Sequence, residues 1–138
     1  MIGAGDRDYV LFDGDCGICS YCAEWARRRD RKGRFDVHPY QFYSAEALAG
    51  VGLTYEKCGK KAWVVSRSGR RYGGALAVNY VLLAFFPWSL LGLIFYLVPP
   101  LLLLEIVAYY FVGRNRHVLS RWLGLKACAI KTVPASER

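Results

Sequence analysis

The stretch DYVLFDGDCGICSYC, residues 8–22, decides how the rest of the chain is read. Residues 8–12, Asp-Tyr-Val-Leu-Phe, are a short apolar run rich in strand formers and read as a buried strand. Asp13-Gly14-Asp15 then makes a turn, with Asp15 the expected N-cap of the helix that follows. That helix is expected over 16–31. Ile18, Cys22, Trp25 and Arg29 recur along it at helical spacing, which makes them the expected packing stripe and Cys22 a packed core thiol. Arg27, Arg28, Arg29, Arg31 and Lys32 crowd its last turns, where cations suit the helix dipole, and Gly33 can end it. These cations read as a solvated helix end, with anion binding as the alternative.

Residues 34–40 alternate well enough for a second strand, with Pro39 at its end or edge. Ser44 caps a short helix that closes at Gly50. Residues 61–66 form a third strand, 67–70 a hairpin turn, and Arg71-Tyr72 the start of the returning strand. Gly73-Gly74 break the chain before a long apolar segment. The order is βαβ, a short helix, a β-hairpin, then apolar helices, which is an α/β sandwich pattern. With no repeat, low-complexity tract or linker, residues 1–130 read as a single domain, with 131–138 as a loosely ordered tail.

No charged residue occurs from Tyr72 to Leu104. Pro87 and Pro99-Pro100 divide this segment into pieces at 75–86, 88–98 and 101–112, each shorter than the ~20 residues of a membrane span. Buried or partner-covered helices are the first expectation. A single kinked span over 76–98, or peripheral contact through 76–112 aided by Arg114, Arg116 and Arg121, is the second.

The formal charge is +8, with 19 Lys and Arg against 11 Asp and Glu. Such a surface suits nucleic acid, anionic lipid or acidic partners, but no nucleic-acid reading motif accompanies it, and nucleic acid is not an expected partner. The five cysteines are odd in number and unevenly placed, unlike a secreted disulfide scaffold. The first residues do not read as a signal peptide, so a reducing, cytoplasmic setting with optional membrane association is expected.

In that setting Cys16-Gly17-Ile18-Cys19 carries chemistry. Residues i and i+3 are neighbours on one helix face, so their sulfurs can bridge. Cys16 falls among the free N–H groups at the positive end of the helix, which stabilise a thiolate. Cys16 is therefore the expected exposed nucleophile and Cys19 the resolving thiol, exchanging disulfides with a protein or small-molecule substrate. Cys58, in an expected loop, and Cys128, after the last helix, read as ordinary thiols.

Two other readings compete. Cys16, Cys19 and Cys22 begin like an iron–sulfur run, but the next ligand position holds Ala26. A cluster or zinc would have to recruit Cys58, Cys128, His38 or His117, and no closed ligand set is evident, so neither metal nor cofactor is expected. The alternative function is a metal- or iron–sulfur-binding, membrane-associated module without catalysis. Asp13-x-Asp15 after an apolar strand resembles the first motif of haloacid-dehalogenase-like phosphatases. Gly17 stands where that motif carries Thr or Val, and no downstream acidic pair is available to hold Mg²⁺. Asp13 and Asp15 are better read as supports of the turn, with a carboxylate near Cys19 able to accept its proton.

With strand, turn and dithiol in place, the chain resembles the DCC (DUF393) family of predicted thiol-disulfide oxidoreductases. The resemblance rests on Asp13-Gly14-Asp15-Cys16-Gly17-Ile18-Cys19, the arginine-rich helix from Trp25 to Lys32, Gly73-Gly74-Ala75-Leu76-Ala77 after the hairpin, and Tyr109 to Arg116 near the end. It covers roughly residues 8–128. It implies a thioredoxin-like fold and dithiol redox chemistry at Cys16 and Cys19, with Asp13 and Gly14 as motif companions. Arg114, Asn115 and Arg116 are expected to be structural or surface residues.

Overall fold

A computed structural model describes Ile2 and residues 5–124. The expected tail at 131–138, the domain limit at 130 and Cys128 lie outside the described residues. Four strands form one sheet: β1 (Asp8–Phe12), β2 (Phe35–Pro39), β3 (Trp63–Val65) and β4 (Arg71–Gly73). Its order is β2-β1-β3-β4, with β1 parallel to β2 and antiparallel to β3, and β3 antiparallel to β4. Around it lie α1 (Gly17–Arg29), α2 (Ala45–Gly50), α3 (Tyr55–Lys60), α4 (Ala75–Leu83), α5 (Trp88–Leu97) and α6 (Pro99–Trp122). A βαβ unit followed by a β-hairpin and helices on a mixed sheet is a thioredoxin-like α/β arrangement, as the resemblance implies.

The alternation of β1 explains the layers. Tyr9 and Leu11 face a core of Leu48, Leu53, Cys58 and Val65 under α2 and α3. Val10 and Phe12 face the other core, with Ala23, Ala26, Phe35, Val37 and Phe85 under α1 and α4. The start of β1 is pinned by its one buried charge. The Asp8 carboxylate accepts from Arg34 Nε (2.9 Å), the Arg67 N–H (2.9 Å) and the Tyr80 hydroxyl (3.2 Å). Burial works to raise the Asp8 carboxyl, but the Arg67 N–H and the Arg34 guanidinium outweigh it and hold it below its ordinary value.

Several expectations change. Helix α1 is capped by Cys16, not Asp15, because the Cys16 sulfur accepts from the Cys19 N–H (3.4 Å) while the Asp15 N–H turns back to Asp13 Oδ1 (3.0 Å). The helix buries Gly17, Ser20, Ala23 and Ala26, so its packed face is the one carrying small residues, which allow close approach to the sheet. The Ile18–Cys22–Trp25 stripe lies beside it, and Cys22 is exposed rather than a core thiol. Conversely Cys58 is not in a loop. It sits in α3, fully buried against the first core.

The apolar segment forms three helices, and no single span over 76–98 exists, because the chain breaks between Leu83 and Trp88. Gly74 opens α4 with φ +64, a conformation that favours glycine, and its N–H donates to the Ala62 carbonyl (2.9 Å). Helix α6 starts at Pro99, where a missing N–H costs nothing, and runs through Gly113 to Trp122, well past the expected end at 112. Only α4 covers the sheet in depth, through Ala75, Ala77 and Asn79. Asn79 donates to Glu105 Oε2 (2.7 Å), joining α4 to α6. Much of the apolar surface of α5 and α6 is exposed. Among the described residues no single helix is long and apolar enough to cross a membrane; α5 and α6 meet that measure only as a pair, bent by 110°.

Candidate active site

The end of β1 delivers a turn whose hydrogen bonds are nearly all internal. Asp13 Oδ1 accepts from the Asp15 N–H (3.0 Å) and from Gln41 Nε2 (2.9 Å). Gln41 Oε1 in turn accepts from the Gly14 N–H (3.1 Å), and the Ser20 hydroxyl donates to the Gly14 carbonyl (3.4 Å). Asp13 and Gln41 are buried, so the bonds from Gln41 to Asp13 and from the Gly14 N–H to Gln41 are made where water is absent and a lost partner costs most.

Helix α6 returns over the same turn. Arg116 Nη2 pairs with Asp13 Oδ2 at 3.0 Å, with the two side chains only 14% and 8% exposed, and also donates to the Gly59 carbonyl. Ser120 Oγ accepts from the Ile18 N–H (3.1 Å), one of the donors that the first turn of α1 leaves open. The Tyr109 hydroxyl accepts from the Ala62 N–H (3.0 Å) and belongs to the same face of α6. Arg114 and Asn115, by contrast, are exposed. Arg116 thus turns inward from a segment expected to be surface or structural.

The two motif cysteines are free thiols within 3.0 Å of each other. The Cys19 thiol, donating to the Cys16 sulfur, is the largest cause holding Cys16 down at about 6. Burial opposes this, the Cys19 N–H and the Arg116 charge assist it, and Asp13 works against it. The same hydrogen bond pushes Cys19 well above an ordinary thiol, and burial adds to the rise. These opposite shifts favour a thiolate at Cys16 beside a thiol at Cys19. One expectation is corrected: Cys16 is not exposed. Its relative exposure is 0%, whereas Cys19 is half-buried.

Cys19 borders an apolar groove of about 390 Å³ between α1, α4 and α6. Ile18, Cys22, Trp25, Val81 and Val112 are among its walls, so Ile18 and Cys22 of the α1 stripe line a recess, while Trp25 also packs against the second core beside Phe85. The remaining cysteines do not converge on the pair. Cys22 opens on the groove, and Cys58 lies across the sheet, where burial raises its thiol to about 11. Among the described residues, no group of three or more His, Cys, Asp or Glu is placed to hold a metal ion.

Gln41, Tyr109 and Ser120 were not singled out as site residues from the sequence. The signal for two of them was present: Tyr109, Arg116 and Ser120 stand at i, i+7 and i+11, one face of a helix. Gln41 follows β2 in a single 3-10 turn, and nothing local marks it.

The sequence model of a family described as DCC1-like thiol-disulfide oxidoreductase matches residues 10–122. No curated protein and no solved structure matches the chain. The matched region runs from β1 to the last residue of α6 and so takes in the dithiol turn, Gln41, Tyr109, Arg116 and Ser120. The chain belongs to the DCC1-like thiol-disulfide oxidoreductase family.

Proposed function

We propose that the chain exchanges disulfides through Cys16 and Cys19, acting on a protein or small-molecule disulfide or dithiol. The observation that carries this reading is the Cys16 sulfur itself. It caps α1, accepts the Cys19 N–H at 3.4 Å, and is held near 6 beside a protonated Cys19. A thiolate next to a thiol is the state that dithiol exchange needs.

In the reductive direction the Cys16 thiolate attacks one sulfur of the substrate disulfide. A Cys16–substrate bond forms, and the other substrate sulfur leaves as a thiolate. Cys19 then loses its proton to solvent and attacks the Cys16 sulfur, closing the Cys16–Cys19 disulfide and releasing the second substrate thiolate. Two electrons pass from the dithiol to the substrate, and a separate dithiol donor resets the pair. The oxidative direction is the same sequence reversed.

Asp13, Gly14 and Asp15 serve by shape. The carboxylate of Asp13 gathers the turn and anchors Arg116, while Gly14 gives its N–H to Gln41. Because Cys16 is closed off and Cys19 borders the groove, substrate approaches from the groove side. Attack by Cys16 then requires the hold of Arg116 and Ser120 on this corner to loosen.

Turnover of insulin disulfides with dithiothreitol as donor tests the reading. The wild-type chain accelerates reduction, Cys16→Ser abolishes it, and Cys19→Ser accumulates a mixed disulfide at Cys16. Full activity in Cys16→Ser, or failure of a mild oxidant to form the Cys16–Cys19 disulfide, would falsify it.

A further inference from the structure

Two features outside the dithiol corner share one edge of the molecule. The first is the uncovered apolar surface of α5 and α6. Leu90, Leu93, Ile94 and Leu97 on α5, with Leu103 and Leu104 on α6, are all exposed, Leu97 by 70%. Apart from the Trp88 indole N–H at its first residue, Ser89 and the Tyr96 hydroxyl, α5 carries no polar side-chain group, so it has no broad face suited to water.

The second feature is a cationic basin of about 840 Å³ lined by Arg28, Arg29, Arg31, Lys32 and Arg34, with Asp30 the only acid. Asp30 is already engaged, accepting from the Arg34 and Phe35 N–H groups (2.9 and 2.7 Å). Among the described residues Arg29, Arg31 and Lys32 have no carboxylate partner. The opposite wall of the basin is Ala84, Phe85 and Phe86, the junction that leads into α5, and Phe86 is 80% exposed. Arg29 ties the two features together. Its guanidinium lies 4.9 Å from the centre of the Trp25 ring and 5.4 Å from that of Trp88, the first residue of α5.

We propose that this edge docks on an anionic lipid bilayer, with the elbow between α5 and α6 entering one leaflet and the cationic basin meeting the headgroups. The dimensions fit shallow entry and exclude a span. The ten residues of α5 are about 15 Å long, half of a ~30 Å hydrocarbon layer, and α6 turns away from it by 110°. The far end of α5 is the apolar elbow Leu97-Val98, and its near end is Trp88 beside Arg29, the aromatic and cationic pairing that suits the interface. The returning α6 is charge-free apart from Glu105, which Asn79 holds, until Arg114.

Charge selects this occupant over a second copy of the chain. Self-association would bring two +8 molecules together with their unpaired cations beside the contact. Anionic lipid offers apolar depth and opposite charge side by side, as the edge itself does. The test is independent of the exchange chemistry, because none of the substituted residues Arg29, Arg31, Lys32 and Leu97 lines the groove beside Cys19.

Flotation of the full chain with vesicles tests it. The wild-type chain floats with phosphatidylcholine–phosphatidylglycerol vesicles and much less with phosphatidylcholine alone. The triple variant Arg29→Gln, Arg31→Gln, Lys32→Gln lowers partition into the anionic vesicles by about 100-fold, at roughly 5-fold per cation. Leu97→Asp lowers partition into both kinds of vesicle. All these positions are exposed, and unchanged thermal melts would show that the variants are folded. Cys16→Ser floats like the wild type, which separates this result from the disulfide reading. The proposal is overturned by a wild-type chain that remains unfloated with both vesicles, by a triple variant that floats like the wild type, or by a stable dimer in detergent-free sedimentation that Leu97→Asp dissociates while vesicles bind neither form.

Discussion

Arg116 Nη2 stands 3.0 Å from Asp13 Oδ2, joining a helix near the end of the chain to the turn that carries the dithiol. The contact links residues from opposite ends of the fold and places a fixed cation beside Cys16 and Cys19. Its companion, the Ser120 hydroxyl on the Ile18 N–H, fixes the same helix against the start of α1. The dithiol corner is therefore closed by α6, and the surroundings of Cys16 depend on a helix roughly a hundred residues away in sequence.

Titration of the reduced protein by ultraviolet thiolate absorbance should give a step near pH 6 that is absent in Cys16→Ala. In Cys19→Ala the step moves up, because the Cys19 hydrogen bond is the largest cause of the low value. The sign for stability follows from the depressed thiol. The contribution is fully present above the ordinary value of 9.0 and is lost as pH falls through about 6. The stability gap between wild type and Cys16→Ala, both reduced, should shrink over that interval.

Arg116 and Asp13 should move the Cys16 titration in opposite directions. Arg116→Gln removes an attraction and raises the midpoint, while Asp13→Asn removes a repulsion and lowers it. Breaking the pair from one side also strands a largely buried charge, so each variant should lose about 3 kcal/mol in denaturant unfolding. A purely structural role for Arg116 would give the stability loss without the shift in midpoint.

Labelling with a bulky maleimide should separate the two outlying thiols. Cys22, exposed on the groove, reacts in the native protein. Cys58, buried and raised to about 11, reacts only on unfolding. Mass spectrometry of digests reads the order directly, and early labelling of Cys58 would contradict its place in the core.

Ser120→Ala should cost about 1 kcal/mol, since it withdraws the acceptor from an N–H in the first turn of α1. A thermal melt checks the loss. The same variant should raise the alkylation rate of Cys16 by loosening α6 over the corner, whereas Ser68→Ala, in the distant hairpin turn, should leave that rate unchanged.

Acid should weaken the fold partly through Asp8. Its carboxyl is held below 3.8 in the native state, so its contribution is fully present above that value and is lost as pH falls below it. Asp8→Asn should be less stable than wild type at neutral pH, and the gap should narrow in acid.

Residues 8–22 made the first strand, the turn, the first helix and the candidate cysteine pair legible. An apolar strand, a tight turn and a helix bearing two cysteines three apart are local features, set by strand propensity, turn chemistry and helical spacing. Ser44 capped its helix as expected for the same reason. The errors fell where packing overrides period. Small residues at Gly17, Ser20 and Ala23 let α1 lie close to the sheet on a face that apolar periodicity did not single out, which moved Cys22 from core to groove. Cys58 went the other way, because a Thr54-capped helix drew it into the core.

Local signals in the chain established an α/β order with two cysteines at the start of the first helix, and the family resemblance implied the thioredoxin-like form of it. Long-range packing shut Cys16 from solvent, brought Arg116, Tyr109 and Ser120 to this corner and set Gln41 to brace it. Propensity and spacing act over a few residues and are written in the chain. Burial and charge pairing depend on which distant segment arrives, and that is settled only when α6 closes over the end of β1.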